Sequence, residues 1–260
     1  MHLPTPESPP DTSAQRRADR RRLLRALNTS LAFVLLLAAV FSAQDHFDVA
    51  AWAVQPGSWD SWRGLLAAPL LHGSPAHLAT NAFSLLLLGT LAGMVYPRAT
   101  LRALPLVWLG SGLGAWLLGA AGSHHLGASG LTHGLMFLLL VLGLLRRDRP
   151  AIAAAMIAFM LYGGMLLTIL PREPGISWQA HLGGAVAGVV AAWLFRRLDP
   201  PAARKRYSWE DEEEGDRSLH DEHERSGLEP ASPHDVPVLW HRPPAQTRGT
   251  VLPFTRRDPR

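Results

Sequence analysis

Leu126 to Leu145 reads LGASGLTHGLMFLLLVLGLL. A turn of small residues, Gly127-Ala128-Ser129-Gly130, runs without a polar break into an apolar helix long enough to enter a bilayer. Ser129 stands at the start of that helix with glycines nearby on both sides, where solubility requires no hydroxyl. Reading outward from this stretch decides the fold: five other apolar runs flank it, and crossing a hydrocarbon core takes roughly 20 residues of helix.

The six runs lie at about 26–43, 77–95, 101–119, 129–145, 152–170 and 178–195. The mean hydropathy of +0.07 averages over a sharp partition. Residues 1–26 and 198–260 are polar, charged and rich in proline, and they read as disordered tails, whereas 27–197 holds the apolar runs. The expected architecture is an all-α polytopic membrane protein with one six-transmembrane-helix domain. The absence of cysteine excludes disulfides, thiolate nucleophiles and cysteine-based metal sites. The arginines mostly flank apolar runs, so the basic isoelectric point reflects topology signals and implies no nucleic-acid partner.

Charge sets the expected orientation. Arg16 to Arg25 precede the first run, which reads as an uncleaved helix although it resembles a signal peptide. Arg98 and Arg102, then Arg146, Arg147 and Arg149, then Arg196 and Arg197 mark alternate turns, and the intervening connections hold few basic residues. Six spans with this alternation place both termini in the cytoplasm. The connection from Gln44 to Ala76 carries Trp52, Trp59 and Trp62 and reads as a partly helical loop at the membrane surface. The last tail contains an acidic cluster, Glu210 to Asp216, read as a solvated charge run.

Polar residues inside apolar runs are costly and point to function. By span count, His77, Asn81, Ser129, His133 and His181 fall near one membrane face, opposite the cytoplasm, and His72 lies just ahead of them. A serine needs a nearby base to become a nucleophile. His133 is one helical turn from Ser129, an axial offset of about 6 Å that disfavours a direct bond. His181 lies on another helix beside Gly183 and Gly184, whose small profiles permit close packing. Gly127 and Gly130 free the backbone around Ser129, so that its N–H, with His77 and Asn81, could receive an oxyanion. Zinc on His77, His133 and His181 is the competing arrangement, but there is no HExxH pattern and no carboxylate inside the spans to activate a metal-bound water. No metal or other cofactor is expected. The pattern is GxSG, not the GxSxG of soluble hydrolases.

With these residues in view, the chain resembles the rhomboid family of intramembrane serine proteases. Trp62-Arg63 looks like the family's first-loop pair, and His72, His77 and Asn81 match HxxxxHxxxN. Gly127 to Gly130 match GxSG, and His181-Leu182-Gly183-Gly184 with Gly188 match the histidine and small residues of the last helix. The resemblance spans about 27–197 and implies a rhomboid-like bundle in which Ser129 is the nucleophile and His181 the base. It further implies oxyanion donors at His77, Asn81 and the Ser129 backbone, and support from Gly127, Gly130, His133, His72, Trp62, Arg63 and Gly184. Its implied substrates are membrane proteins with an unstable transmembrane segment, cleaved in the bilayer. One departure is His133, where bacterial members often carry a tyrosine stacked on the catalytic histidine; histidine there resembles a rhombosortase-type subgroup, whose substrates carry a C-terminal sorting tail. The resemblance and the arginine- and alanine-rich composition suggest a Gram-negative inner membrane. Two readings of other classes are an inactive relative that binds or chaperones membrane clients, and a small transporter, for which no inverted repeat is evident.

Overall fold

Small residues decide how the helices meet. In the computed structural model, which describes residues 12–172 and 175–199, the elements are α1 (Thr12–Ala43), α2 (Trp62–Ala67), α3 (Pro75–Val95), α4 (Pro97–Leu118), α5 (Ser129–Arg146), α6 (Arg149–Tyr162), α7 (Met165–Thr168) and α8 (Trp178–Phe195). Short 3-10 turns complete the first loop, and among the described residues the only β pairing is an isolated bridge between Val54 and His125. The protein is therefore an all-helical bundle. Its outer surface carries large apolar side chains such as Leu101, Leu117, Met160 and Trp193, as expected of helices solvated by lipid.

Local chemistry sets the ends. Ser74 caps α3 by accepting the His77 N–H at 3.1 Å, with Pro75 in the first turn. Pro97 cannot continue α3 and instead opens α4. Asp148 caps α6 through the Ala151 N–H at 2.9 Å, and Arg147 ends α5 in the left-handed conformation (φ 56°). The N-terminus of α4 is capped from just beyond α8: the Asp199 carboxylate accepts the N–H groups of Arg98 and Ala99 at 3.2 and 2.9 Å.

Two expectations change. Helix α1 begins at Thr12, well ahead of Ala26, so the basic block from Arg16 to Arg25 is helical and not part of a disordered tail. The run expected as one helix over 152–170 is interrupted. Helix α6 has 14 residues, about 21 Å of rise, short of a ~30 Å hydrocarbon core. At Gly163-Gly164 the hydrogen bonding tightens to three-residue steps, Leu166 to Gly163 and Leu167 to Gly164, both at 3.1 Å, and α7 follows. Among the described residues five helices are long and apolar enough to cross a membrane; the sixth expected span is this broken pair. The acidic cluster, the remaining tail residues and Glu173 lie outside the described residues.

Helix α5 is buried along most of its length and is the axis of the bundle. Helix α8 lies against both α5 and α4 at backbone contact distance. A Cβ at Gly184 would stand 2.8 Å from the Gly130 carbonyl carbon, one at Gly188 would stand 3.0 Å from that of Gly134, and one at Gly183 would stand 2.8 Å from the Gly114 Cα. No side chain fits between these segments. Gly188→Leu should accordingly lower the thermal unfolding midpoint in detergent, by the equivalent of about 1–3 kcal/mol or more. Val190→Leu on the exposed side of the same helix should leave it nearly unchanged; circular dichroism melts of both variants check this.

Candidate active site

Ser129 is the first residue of α5, and its N–H belongs to the first turn, whose donors lack intrahelical acceptors. The preceding Gly127 has φ +116°, which a side chain would strain, and its N–H is held by the Ala68 carbonyl at 2.9 Å. A Cβ on Gly127 would also meet the His77 ring, 2.6 Å from Cε1. His77 thus lies directly on the turn that leads into Ser129. Asn81, one turn further along α3 and buried, donates through Nδ2 to the His77 carbonyl at 3.1 Å, which leaves its second amide hydrogen uncommitted by that bond.

The glycine contacts between α5 and α8 bring His181 to Ser129, with Nε2 and Oγ 2.8 Å apart. The other ring nitrogen, Nδ1, faces the Thr168 carbonyl at 3.0 Å. A carbonyl only accepts, so Nδ1 carries the hydrogen and Nε2 presents its lone pair to the serine hydroxyl. This is the tautomer a general base requires. Thr168 is the last residue of α7, where helix carbonyls have no intrahelical donors. Besides the close packing that Gly183 and Gly184 permit, the ring therefore has a main-chain acceptor.

His133 stacks on His181, with ring centroids 3.9 Å apart and an interplanar angle of 15°. Its Nδ1 donates to the Ser129 carbonyl at 2.7 Å, and its Nε2 lies 2.8 Å from the Thr168 hydroxyl. It reaches the backbone of Ser129 and not the hydroxyl, in keeping with the turn-length offset. One residue, Thr168, therefore touches both imidazoles, through its carbonyl and its hydroxyl. Sequence reasoning missed it, because a threonine in an apolar run has no distinguishing pattern; the Gly163-Gly164 pair was the one available signal. The three histidines do not surround a common point, and among the described residues no group of three or more His, Cys, Asp or Glu is placed to hold a metal ion.

The remaining expected residues lie in the first loop and at its end. His72 is fully buried and packs edge-on against His77 at 5.1 Å. Its main chain is clamped by Gln44, which donates to the His72 carbonyl at 2.8 Å and accepts the His72 N–H at 2.9 Å. Trp62 and Arg63 sit on α2 with the guanidinium 5.7 Å from the indole centroid. Their loop is tied to α4 by the indole N–H groups of Trp108, donating to Leu66 at 3.1 Å, and Trp116, donating to Ser58 at 3.0 Å. His125 links the loops before α5 and α8 through Ser177 at 2.6 Å. The turn entering Ser129 and the helix carrying His181 are thus joined outside the bundle as well.

The chain belongs to the rhomboid family. The rhomboid domain matches residues 58–198, a segment that includes the first-loop pair, the α3 residues, Ser129 and His181. It is 37% identical over 218 residues to uncharacterized proteins of Mycobacterium tuberculosis (strain H37Rv) and Mycobacterium bovis, covering 79% of this chain and 89% of each relative. An uncharacterized protein of Mycobacterium leprae is 41% identical over 151 residues, 55% of this chain and 59% of its own. The protein is a multi-pass integral membrane protein of a family of intramembrane-protease type.

Burial holds the His72 imidazole pKa down to about 4, with His77 beside it pushing the same way. Burial, then neighbouring His124, lowers that of His125. Above the unfolded value near 6.5 both states are neutral and these groups contribute their full stability. As pH falls from 6.5 towards 4, the unfolded chain takes up protons that the folded chain refuses, and stability is lost. The unfolding midpoint should therefore drop across this window, and His72→Leu should flatten part of the drop; melts at half-unit pH steps measure it.

Proposed function

We propose that the protein is an intramembrane serine endopeptidase that cleaves transmembrane segments of other membrane proteins. The observation that carries this reading is the 2.8 Å approach of His181 Nε2 to Ser129 Oγ, with Nδ1 committed to a carbonyl. Ser129 Oγ attacks the peptide carbonyl while His181 Nε2 takes its proton. The tetrahedral oxyanion receives hydrogen bonds from the Ser129 N–H, at the positive end of α5, and from His77 and Asn81. His181 returns the proton to the leaving amine. Water, deprotonated by the same nitrogen, then attacks the acyl-enzyme and restores Ser129. A regular helix hides its peptide bonds, so the substrate is a membrane segment that unwinds locally, and no nucleic acid or cofactor takes part.

The basic turns put both termini in the cytoplasm and the dyad near the opposite face. The mycobacterial relatives support a bacterial membrane as the setting. Gly127, Gly130 and Gly184 let backbone and ring approach the serine, while His72, Trp62 and Arg63 hold the first loop in place around it. His133 takes the position of a stacking platform for His181.

A fluorophosphonate probe should label the purified full chain, and Ser129→Ala and His181→Ala should each abolish labelling and cleavage of a transmembrane substrate without changing helicity. Cleavage retained by Ser129→Ala would end this assignment; folded protein that neither labels nor cleaves would favour a client-binding, non-catalytic relative. Asn81→Ala should reduce kcat on the order of 10²-fold. At the stacked position, His133→Phe should keep most of the cleavage rate because it keeps the ring face, whereas His133→Ala should lose roughly ten-fold by freeing His181, a loss of about 1.4 kcal/mol. Rate measurements on the three variants separate stacking from hydrogen bonding.

A further inference from the structure

A crevice of about 870 Å³ opens between α1 and α4 over a floor of α3 and α5, the latter through Leu131 and Leu135. Its volume is in the range of small-molecule sites, ~300–1,000 Å³. The two ends of the crevice differ in chemistry. At one end stand the exposed arginines Arg22 and Arg25 of α1 and Arg98 of α4; deeper in, the lining is apolar, with Phe33, Leu104 and Trp108. Gly89 and Gly93 let α1 approach α3, with Ser30 and Ala26 facing them and forming part of the floor.

Depth and charge together define the occupant. Arg22 to Phe33 on α1, and Arg98 to Trp108 on α4, each span about 15 Å of helical rise, close to half of a ~30 Å hydrocarbon core. Phe33 and Trp108 meet edge-to-face at 5.9 Å and bridge the two walls at that depth. A spanning helix would need an open groove along the full bilayer; this one is bridged at about one leaflet. Thr100 lines the same crevice, is only 7% exposed, and its hydroxyl has no hydrogen-bond partner among the described residues. Asp199 also lines the mouth, but its carboxylate is engaged by the Arg98 and Ala99 N–H groups, and three arginines stand against this one acid.

We infer that this crevice is a binding site for one anionic phospholipid, with its phosphate among Arg22, Arg25 and Arg98 and an acyl chain running to the Phe33–Trp108 pair. Basic residues on the cytoplasmic side of membrane helices meet the leaflet in which anionic lipids concentrate, and each contributes measurably to headgroup binding. Neither Ser129 nor His181 lines the crevice, although Leu131 on the same helix as Ser129 does, and lipid affinity is read without any cleavage, so the site stands or falls independently of the protease reading.

The test uses the delipidated full chain and native mass spectrometry with phosphatidylglycerol and phosphatidylcholine of identical chains. One phosphatidylglycerol should bind about ten-fold or more tightly than phosphatidylcholine. The combined substitution Arg22→Gln, Arg25→Gln, Arg98→Gln should reduce phosphatidylglycerol to the level of phosphatidylcholine. Arg102→Gln, on the same helix but outside the crevice, should change neither. Phosphatidylglycerol with brominated chains should quench tryptophan fluorescence with a saturable component that Trp108→Phe removes. Equal affinity for the two lipids, an equal loss in Arg102→Gln, or a saturable component that survives Trp108→Phe would overturn the site. Should the triple variant not fold, the single variants Arg22→Gln and Arg98→Gln, both at exposed positions, carry the same comparison.

Discussion

The structure depends on one backbone-to-backbone contact: α8 laid on α5 where Gly184 meets Gly130 and Gly188 meets Gly134. In a membrane, burying apolar side chains away from lipid gives helices little reason to associate, so close van der Waals approach of small residues does more of the work. The same contact sets the distance between the helix carrying Ser129 and the helix carrying His181. Gly183 extends it to Gly114 on α4, so α8 is held from two sides. A methyl group at any of these positions would push the imidazole and the hydroxyl apart before it disturbed either one directly.

Around that contact, the irregular parts of the chain act as ties. The first loop gives a carbonyl from Ala68 to the Gly127 N–H, a clamp from Gln44 to His72, and carbonyls from Leu66 and Ser58 to two indoles of α4. Each such bond is modest, about 0.5–1.5 kcal/mol. Together they fix a loop that would otherwise leave polar backbone unpaired beside the bilayer. At the other end of the bundle Asp199 caps α4, while the Arg146 guanidinium contacts the Asp199 carbonyl and lies 5.1 Å from the centroid of the Tyr96 ring.

The helical class, the apolar runs and the meeting of Ser129 with His181 were legible in the sequence because each leaves a pattern: hydropathy, flanking arginines, and small residues beside a polar one. Helix ends were less legible. Pro75 and Pro97 start α3 and α4 a turn or less before the apolar residues suggest, since proline at the first turn costs no hydrogen bond. The helical start at Thr12 was hidden by the prolines and charges of the first residues, whose composition resembles that of a disordered tail. The interruption at Gly163-Gly164 was missed because hydropathy does not register a change in hydrogen-bond step. The contact from Thr168 to His181 leaves no mark in the identity of residue 168, because the acceptor is a peptide oxygen.

That last feature bears on which changes the site tolerates. An acceptor supplied by the main chain at residue 168 is present whatever side chain stands there, so comparison of residue types at this position carries no information about it. Its placement depends instead on the count of residues through Gly163-Gly164 and α7. Adding or removing one residue in that stretch would turn the carbonyl by about 100° about the helix axis and leave His181 Nδ1 without its partner. The main-chain hold on the imidazole is thus robust to substitution at residue 168 and fragile to insertion or deletion before it.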